Sequence, residues 1–134
     1  MDEYLNDSPI SRVIQFYHHD PADLKSLISD GENVNELLKD DNTYLMVLVT
    51  RYGKGVYHEQ FLDDHDANVK NITEQSIMIL LNAGIDVTAK DIEGRTALHM
   101  ANDPNDDGMI NIIQAIEKKI EEIGGKELID KILY

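Results

Sequence analysis

Two stretches of this chain repeat one another. Leu27-Ile-Ser-Asp-Gly-Glu-Asn-Val-Asn35 aligns with Leu80-Leu-Asn-Ala-Gly-Ile-Asp-Val-Thr88, an offset of 53 residues. In both copies a glycine (Gly31, Gly84) precedes a threonine (Thr43, Thr96) by the same distance, and a leucine (Leu45, Leu98) follows two positions later. An internal repeat restricts the fold more than any isolated motif. Each copy covers its apolar face only by stacking on the next, so the repeated units form one continuous core.

The periodicity between these marks is helical. Ser8-Pro9 reads as a cap followed by proline in the first turn, and Ile10, Val13, Ile14 and Tyr17 then share one helical face. Asp20-Pro21 repeats that start, Leu24, Leu27 and Ile28 form the stripe, and Gly31 stops the helix. Residues 30–42 are polar and acidic, with Val34 and either Leu37 or Leu38 as anchors. Thr43 opens a run, Tyr44 to Val49, that looks buried on most sides; so β-branched a run also fits a strand, and the repeat register favours helix. Asn71 to Glu74 has the spacing of a capping box, which predicts a helix through Ile77, Leu80 and Leu81 up to Gly84. Met109, Ile113, Ile116, Ile120 and Ile123 predict a longer helix after the polar turn 102–108, and Gly124-Gly125 breaks it.

The junction from Leu80 through Gly84 to Asp91-Ile-Glu-Gly-Arg-Thr-Ala-Leu-His-Met-Ala101 resembles the boundary between two ankyrin repeats. The earlier copy departs from that pattern at Asp41, where glycine is preferred, and at Met46, where histidine is preferred. The resemblance implies an all-α, ankyrin-like helical solenoid of about three helix hairpins within a single domain, residues 1–134. Residues 8–31 form the first helix pair, 32–84 the second repeat, 85–123 the third and 124–134 a capping helix. Because ordinary ankyrin repeats are about 33 residues long, the second repeat carries an insertion of about 20, assigned to the loop 53–69. The resemblance also makes Gly84, Gly94, Thr96, Leu98 and His99 structural, with the His99 ring accepting from the Thr96 hydroxyl and tying successive fingers together. It places Lys39, Asp40, Asn42, Thr50, Arg51, Ile92, Glu93, Arg95 and Asp103 at outward, partner-binding positions.

Chemistry finds little to build on. Cysteine is absent, which removes disulfides and thiolate nucleophiles, and no G-x-S-x-G elbow or phosphate loop occurs. His58, Glu59, Asp63, Asp64, His65 and Asp66 crowd the insertion, yet no metal-ligand spacing such as H-E-x-x-H is present, so a solvated acidic loop is the better reading. Asp103 to Gly108 lacks the alternating ligands and terminal glutamate of a calcium loop. No catalytic residue, metal or cofactor is expected.

The formal charge of −14 over 134 residues is high. Such a field repels nucleic-acid phosphates and anionic lipid, and it attracts basic surfaces. Asp30, Glu32, Glu36, Asp40 and Asp41 cluster in the first finger, Asp86, Asp91 and Glu93 in the second, and Asp103, Asp106 and Asp107 in the interhelical turn of the third repeat. Tyr57 and Phe61, aromatics among acids in the insertion, are candidate anchors. The start of the chain does not look like a secretory signal and no run reaches membrane-spanning length, so a cytoplasmic location is expected. The expected function is protein binding: an acidic inhibitor or immunity protein neutralising a basic toxin or enzyme. The alternatives are a general adaptor or scaffold whose acidity aids solubility and, remotely, a metal-dependent enzyme built on the insertion.

Overall fold

The computed structural model describes residues 5–16, 18–54, 64–101 and 107–123. These form six helices, one 3-10 turn and no strand: α1 (Pro9–Ile14), α2 (Pro21–Ser29), the 3-10 turn (Lys39–Asp41), α3 (Tyr44–Lys54), α4 (Asp64–Asn82), α5 (Ala97–Met100) and α6 (Asp107–Glu122). The first finger spans 30–42 and the second 85–96.

Proline in the first turn starts both α1 and α2. The Asp20 carboxylate caps α2 by accepting from the Ala22 N–H at 2.9 Å. Ser8 occupies the cap position of α1, but its hydroxyl reaches the Tyr44 hydroxyl at 2.6 Å instead of capping. Helices α2 and α4 end alike. Gly31 and Gly84 take φ of +97° and +86°, and the next residue's N–H returns to a carbonyl one turn back (Glu32 to Leu27 at 3.1 Å, Ile85 to Leu80 at 3.2 Å).

The 53-residue repeat persists bond by bond through the fingers. Asn33 Oδ1 accepts from the Asn35 N–H at 2.9 Å, and Asp86 Oδ1 accepts from the Thr88 N–H at 2.9 Å. The Leu38 N–H donates to Asn42 O and the Asp91 N–H to Arg95 O, both at 2.8 Å. The Asp41 N–H donates to Leu38 O at 3.1 Å, and the Gly94 N–H to Asp91 O at 2.9 Å. The residues at the turn, Asp41 and Gly94, are both left-handed, with φ of +60° and +79°. The aspartate therefore adopts the backbone that glycine supplies in the other copy.

Packing is serial. Helix α1 rests on α2, α2 on α4, α3 on both α4 and α5, and α4 and α5 on α6. Ile10, Ile14, Leu24, Leu45, Leu48, Ile77, Leu80, Leu98, Ile112 and Ile116 form one continuous core. Helix α3 lies at its centre: Tyr44 to Val49 are all buried, so the run that is apolar on every side is a helix wrapped on every side.

Several expectations change. Helix α4 begins at Asp64, so Asn71 lies within it and caps nothing, and 64–69 is helix instead of inserted loop. Gly53 and Lys54 end α3. Leu38 is the buried anchor of the first finger, while Leu37 is 57% exposed. Ile112 joins the α6 stripe and Ile123 leaves it, because the stripe follows the turn of the helix and Ile123 falls beyond the last packed residue, Ile120. Gly108 is helical, not part of a turn. Tyr17, Tyr57, Phe61, Asp103 and the expected capping helix at 124–134 lie outside the described residues.

Candidate partner-binding fingers

The two fingers lie side by side. The Ile92 N–H donates to Asp40 O at 2.9 Å, and the Asp86 N–H donates to the Asn35 side chain at 2.8 Å. These contacts bring Lys39 and Asp40 next to Ile92 and Glu93. All four are exposed, as are Asp41 and Gly94. Ile92 is the most exposed large apolar residue of the described chain, at 69%.

Each finger is anchored differently. In the second, Asp91 is buried and its carboxylate gathers the turn. Oδ1 accepts from the Glu93 and Arg95 N–H groups at 2.9 Å each, and Oδ2 accepts from Arg95 Nε at 3.0 Å. Arg95 Nη2 also reaches Asp91 Oδ2 and Glu93 Oε2, at 3.0 Å each. Burial alone would raise the Asp91 carboxyl, but the hydrogen bonds from Arg95 and Glu93, with the Arg95 charge, outweigh it and hold the group below its ordinary range.

In the first finger Leu38 occupies the place of Asp91, and the anchor comes from outside. Glu36 accepts from the Tyr44 hydroxyl at 2.8 Å and from Asn6 Nδ2 at 2.8 Å. Burial opposes its charged form, yet hydrogen bonds from Tyr44, Ser8 and Asn6 lower its pKa on balance. Burial is also the main cause of the raised pKa of the Tyr44 hydroxyl.

At the base of each finger a threonine opens the following helix. The Thr96 N–H and hydroxyl both meet His99 Nδ1, at 3.1 and 3.0 Å, and the His99 N–H returns to the Thr96 hydroxyl at 3.4 Å. Since Nδ1 accepts a backbone N–H, the neutral ring carries its proton on Nε2. Met46 takes this place in the first copy: the Thr43 N–H points at its sulfur at 3.4 Å, and the Met46 N–H reaches the Thr43 hydroxyl at 3.2 Å. The His99 bonds stay at the base of its own finger, whereas the ties between fingers are the backbone and Asn35 contacts above.

Not all the expected outward residues face outward. Arg51 is buried, with Nη1 donating to Ile14 O at 2.7 Å, and Asn42 is buried with its amide on Lys39 O at 3.2 Å. Thr50 is half-buried, its hydroxyl 3.6 Å from the Met100 sulfur. Arg51 and Thr50 lie on α3, which neighbouring helices largely enclose, whereas Asn42 ends the finger turn and folds its amide back onto it. Sequence reading missed the roles of Asp91, Glu36 and His19. The Asp-x-x-x-Arg spacing of Asp91 and Arg95 hinted at the first; nothing local marked the others, whose partners are distant in sequence. The acidic clusters also shrink, since Glu36 and Asp91 serve the fold; Glu93 keeps an exposed carboxylate although Arg95 offsets part of its charge. Asp30, Asp40, Asp41 and Asp86 remain as exposed carboxylates.

No helix among the described residues is long and apolar enough to cross a membrane. No protein-family model matches this chain, and no curated protein or solved structure matches it either.

Proposed function

We propose that this chain is an ankyrin-like repeat domain that binds a basic protein through its two fingers, in the manner of an immunity protein that neutralises a basic toxin or enzyme. The supporting observation is the pairing of Asp40 and Glu93. They hold equivalent positions 53 residues apart, both are exposed, and a backbone hydrogen bond between Asp40 and Ile92 sets the two tips together. Rigid, adjacent tips lose little entropy on binding, and paired acids speed encounter with a basic surface. Ile92 between them offers an apolar contact of the kind that anchors interfaces. The ankyrin assignment rests on the recurrence of the finger hydrogen bonds and on the Thr96-to-His99 motif.

The adaptor reading keeps one specific support, because Lys39, Lys90 and Arg95 stand among these acids and offset part of their charge. Salt dependence separates the two readings. Partners captured from native lysate are to be measured against the double variant Asp40→Lys/Glu93→Lys. Loss of on-rate, together with a flatter salt dependence, is expected for a basic partner. Unchanged affinity and salt dependence would remove the acidic tips from the interface.

A further inference from the structure

Helix α1 is short, six residues, and rests chiefly on α2. What joins this first hairpin to the rest of the fold includes two polar clusters, one at each end of α1. At its start, Ser8 and Ser11 meet the Tyr44 hydroxyl, at 2.6 and 3.3 Å, and Tyr44 in turn bonds Glu36, which also holds Asn6. Just beyond its other end, His19 is buried with Nδ1 on Phe16 O at 2.7 Å and Nε2 on the Ser76 hydroxyl of α4 at 2.7 Å. Arg51 of α3 reaches Ile14 O beside it.

We propose that the α1–α2 hairpin is a detachable end unit, latched at one end by His19 on Ser76 and at the other by Asn6 on Glu36 and Ser8 on Tyr44, and that acid releases it before the rest of the fold opens. A carbonyl can only accept, so Nδ1 of His19 carries a proton, and the neutral ring accepts from Ser76 through Nε2. Protonation then adds a charge in a buried place. Burial is the first obstacle to that charge and Arg51 on α3 a further one; the bond to the Phe16 carbonyl, Asp20 capping α2 and Asp23 on α2 all favour it but do not compensate. Protonating Glu36 removes an acceptor from a cluster in which Tyr44 on α3, Ser8 before α1 and Asn6 in the preceding segment all donate.

The signs agree. His19 has a lowered pKa, so its stabilising contribution is full above its ordinary value of 6.5 and is lost as pH falls below it. Glu36 is also lowered, so its contribution is full above its ordinary value of 4.5 and is lost as pH falls below it. The hairpin also buries Ile10, Ile14 and Leu24 in the shared core, and what sets the next interface apart is the smaller part that titrating groups play in it. Between the second and third units the contacts are mainly apolar, Leu45, Leu48, Ile77 and Leu80 against Leu98, Ala101, Met109 and Ile112, and these do not titrate. Units at the end of a stacked chain open without the rest when their one interface weakens.

Hydrogen exchange of the whole chain over a falling pH series, corrected for intrinsic exchange, tests this. Protection in α1 and α2 is expected to fall by about tenfold or more while that of α5, α6 and the second half of α4 persists. His19→Gln should flatten the upper step, Glu36→Gln the lower, and the double variant both. If α1 and α2 lose protection only together with α6, or the double variant keeps the wild-type pH dependence, the latch is wrong. Should His19→Gln fail to fold, the wild-type series still decides, read beside the ring titration of His19 by NMR: opening of the hairpin that does not track that titration overturns the proposal.

Discussion

The two fingers share one backbone and almost none of its side-chain support. The second is self-contained: Asp91 binds its own turn, Arg95 closes over it, Gly94 supplies the left-handed residue and His99 caps the next helix. The first borrows its support. Leu38 replaces the buried carboxylate with apolar burial, Asp40 and Asp41 both adopt left-handed backbone without glycine, Met46 stands where His99 does, and Glu36 ties the finger to Tyr44 and Asn6. A repeat thus preserves a path of the chain, and several chemistries satisfy it. The difference also locates vulnerability: the second finger depends on one carboxylate, the first on its neighbours.

Exchanging the anchors tests that view most severely. Leu38→Asp alone should destabilise by about 3–5 kcal/mol in a denaturant titration, because it buries an unpaired charge. Adding Asn42→Arg, at the position equivalent to Arg95, should recover part of the loss. Without recovery, the fingers are not interchangeable. The shared core is tested by Leu98→Ala and Leu45→Ala, which should each cost about 2–5 kcal/mol through lost burial and cavity formation. Closely similar losses would show that the repeat extends to energetics, and a large disparity would mark one copy as dominant.

Asp91→Ala leaves the Glu93 and Arg95 N–H groups without their acceptor and should cost about 1–3 kcal/mol. The same carboxylate predicts a pH effect. Its lowered pKa means that its contribution is full above its ordinary value of 3.8 and fades as pH falls below it, and Asp91→Asn should weaken that acid limb of the stability curve. An unchanged acid limb would assign the effect to other groups.

The smallest effects are the most discriminating. His99 is exposed, so His99→Ala should cost only about 0.5–2 kcal/mol, the usual range for a lost helix cap. His99→Met should cost less if the sulfur of Met46 marks a workable substitute. At the turn the two copies should respond with opposite signs. Asp41→Gly relieves a left-handed residue and should stabilise by about 0.5–1 kcal/mol, and Gly94→Ala should destabilise by about 1 kcal/mol. No atom lies within 4 Å of a Cβ built on Gly94, so backbone strain alone sets that second value. Changes of the same sign would show that the two turns are not equivalent.

Much of the framework was legible in the chain itself. Helix starts at Pro9 and Pro21, stops at Gly31 and Gly84, and the correspondence of Thr43 with Thr96 depend on local rules: proline fits the first helical turn, glycine accepts positive φ, and a threonine oxygen caps. Those rules act over a few residues, so the sequence determined them alone. What it could not determine was burial and pairing across distance. Arg51 looks like a surface cation until α1 delivers the Ile14 carbonyl to it, and His19 looks like a helix-end residue until Ser76, 57 positions away, closes over it. Glu36 and Asp91 counted as surface acids until Tyr44 and the Asp91 turn consumed them. The start of α4 at Asp64 was hidden for a related reason: local capping at Asn71 competes with packing of the helix against α3, and packing decided. Whether a polar group stabilises the fold or remains free for a partner depends on what surrounds it, and only the tertiary structure assembles those surroundings.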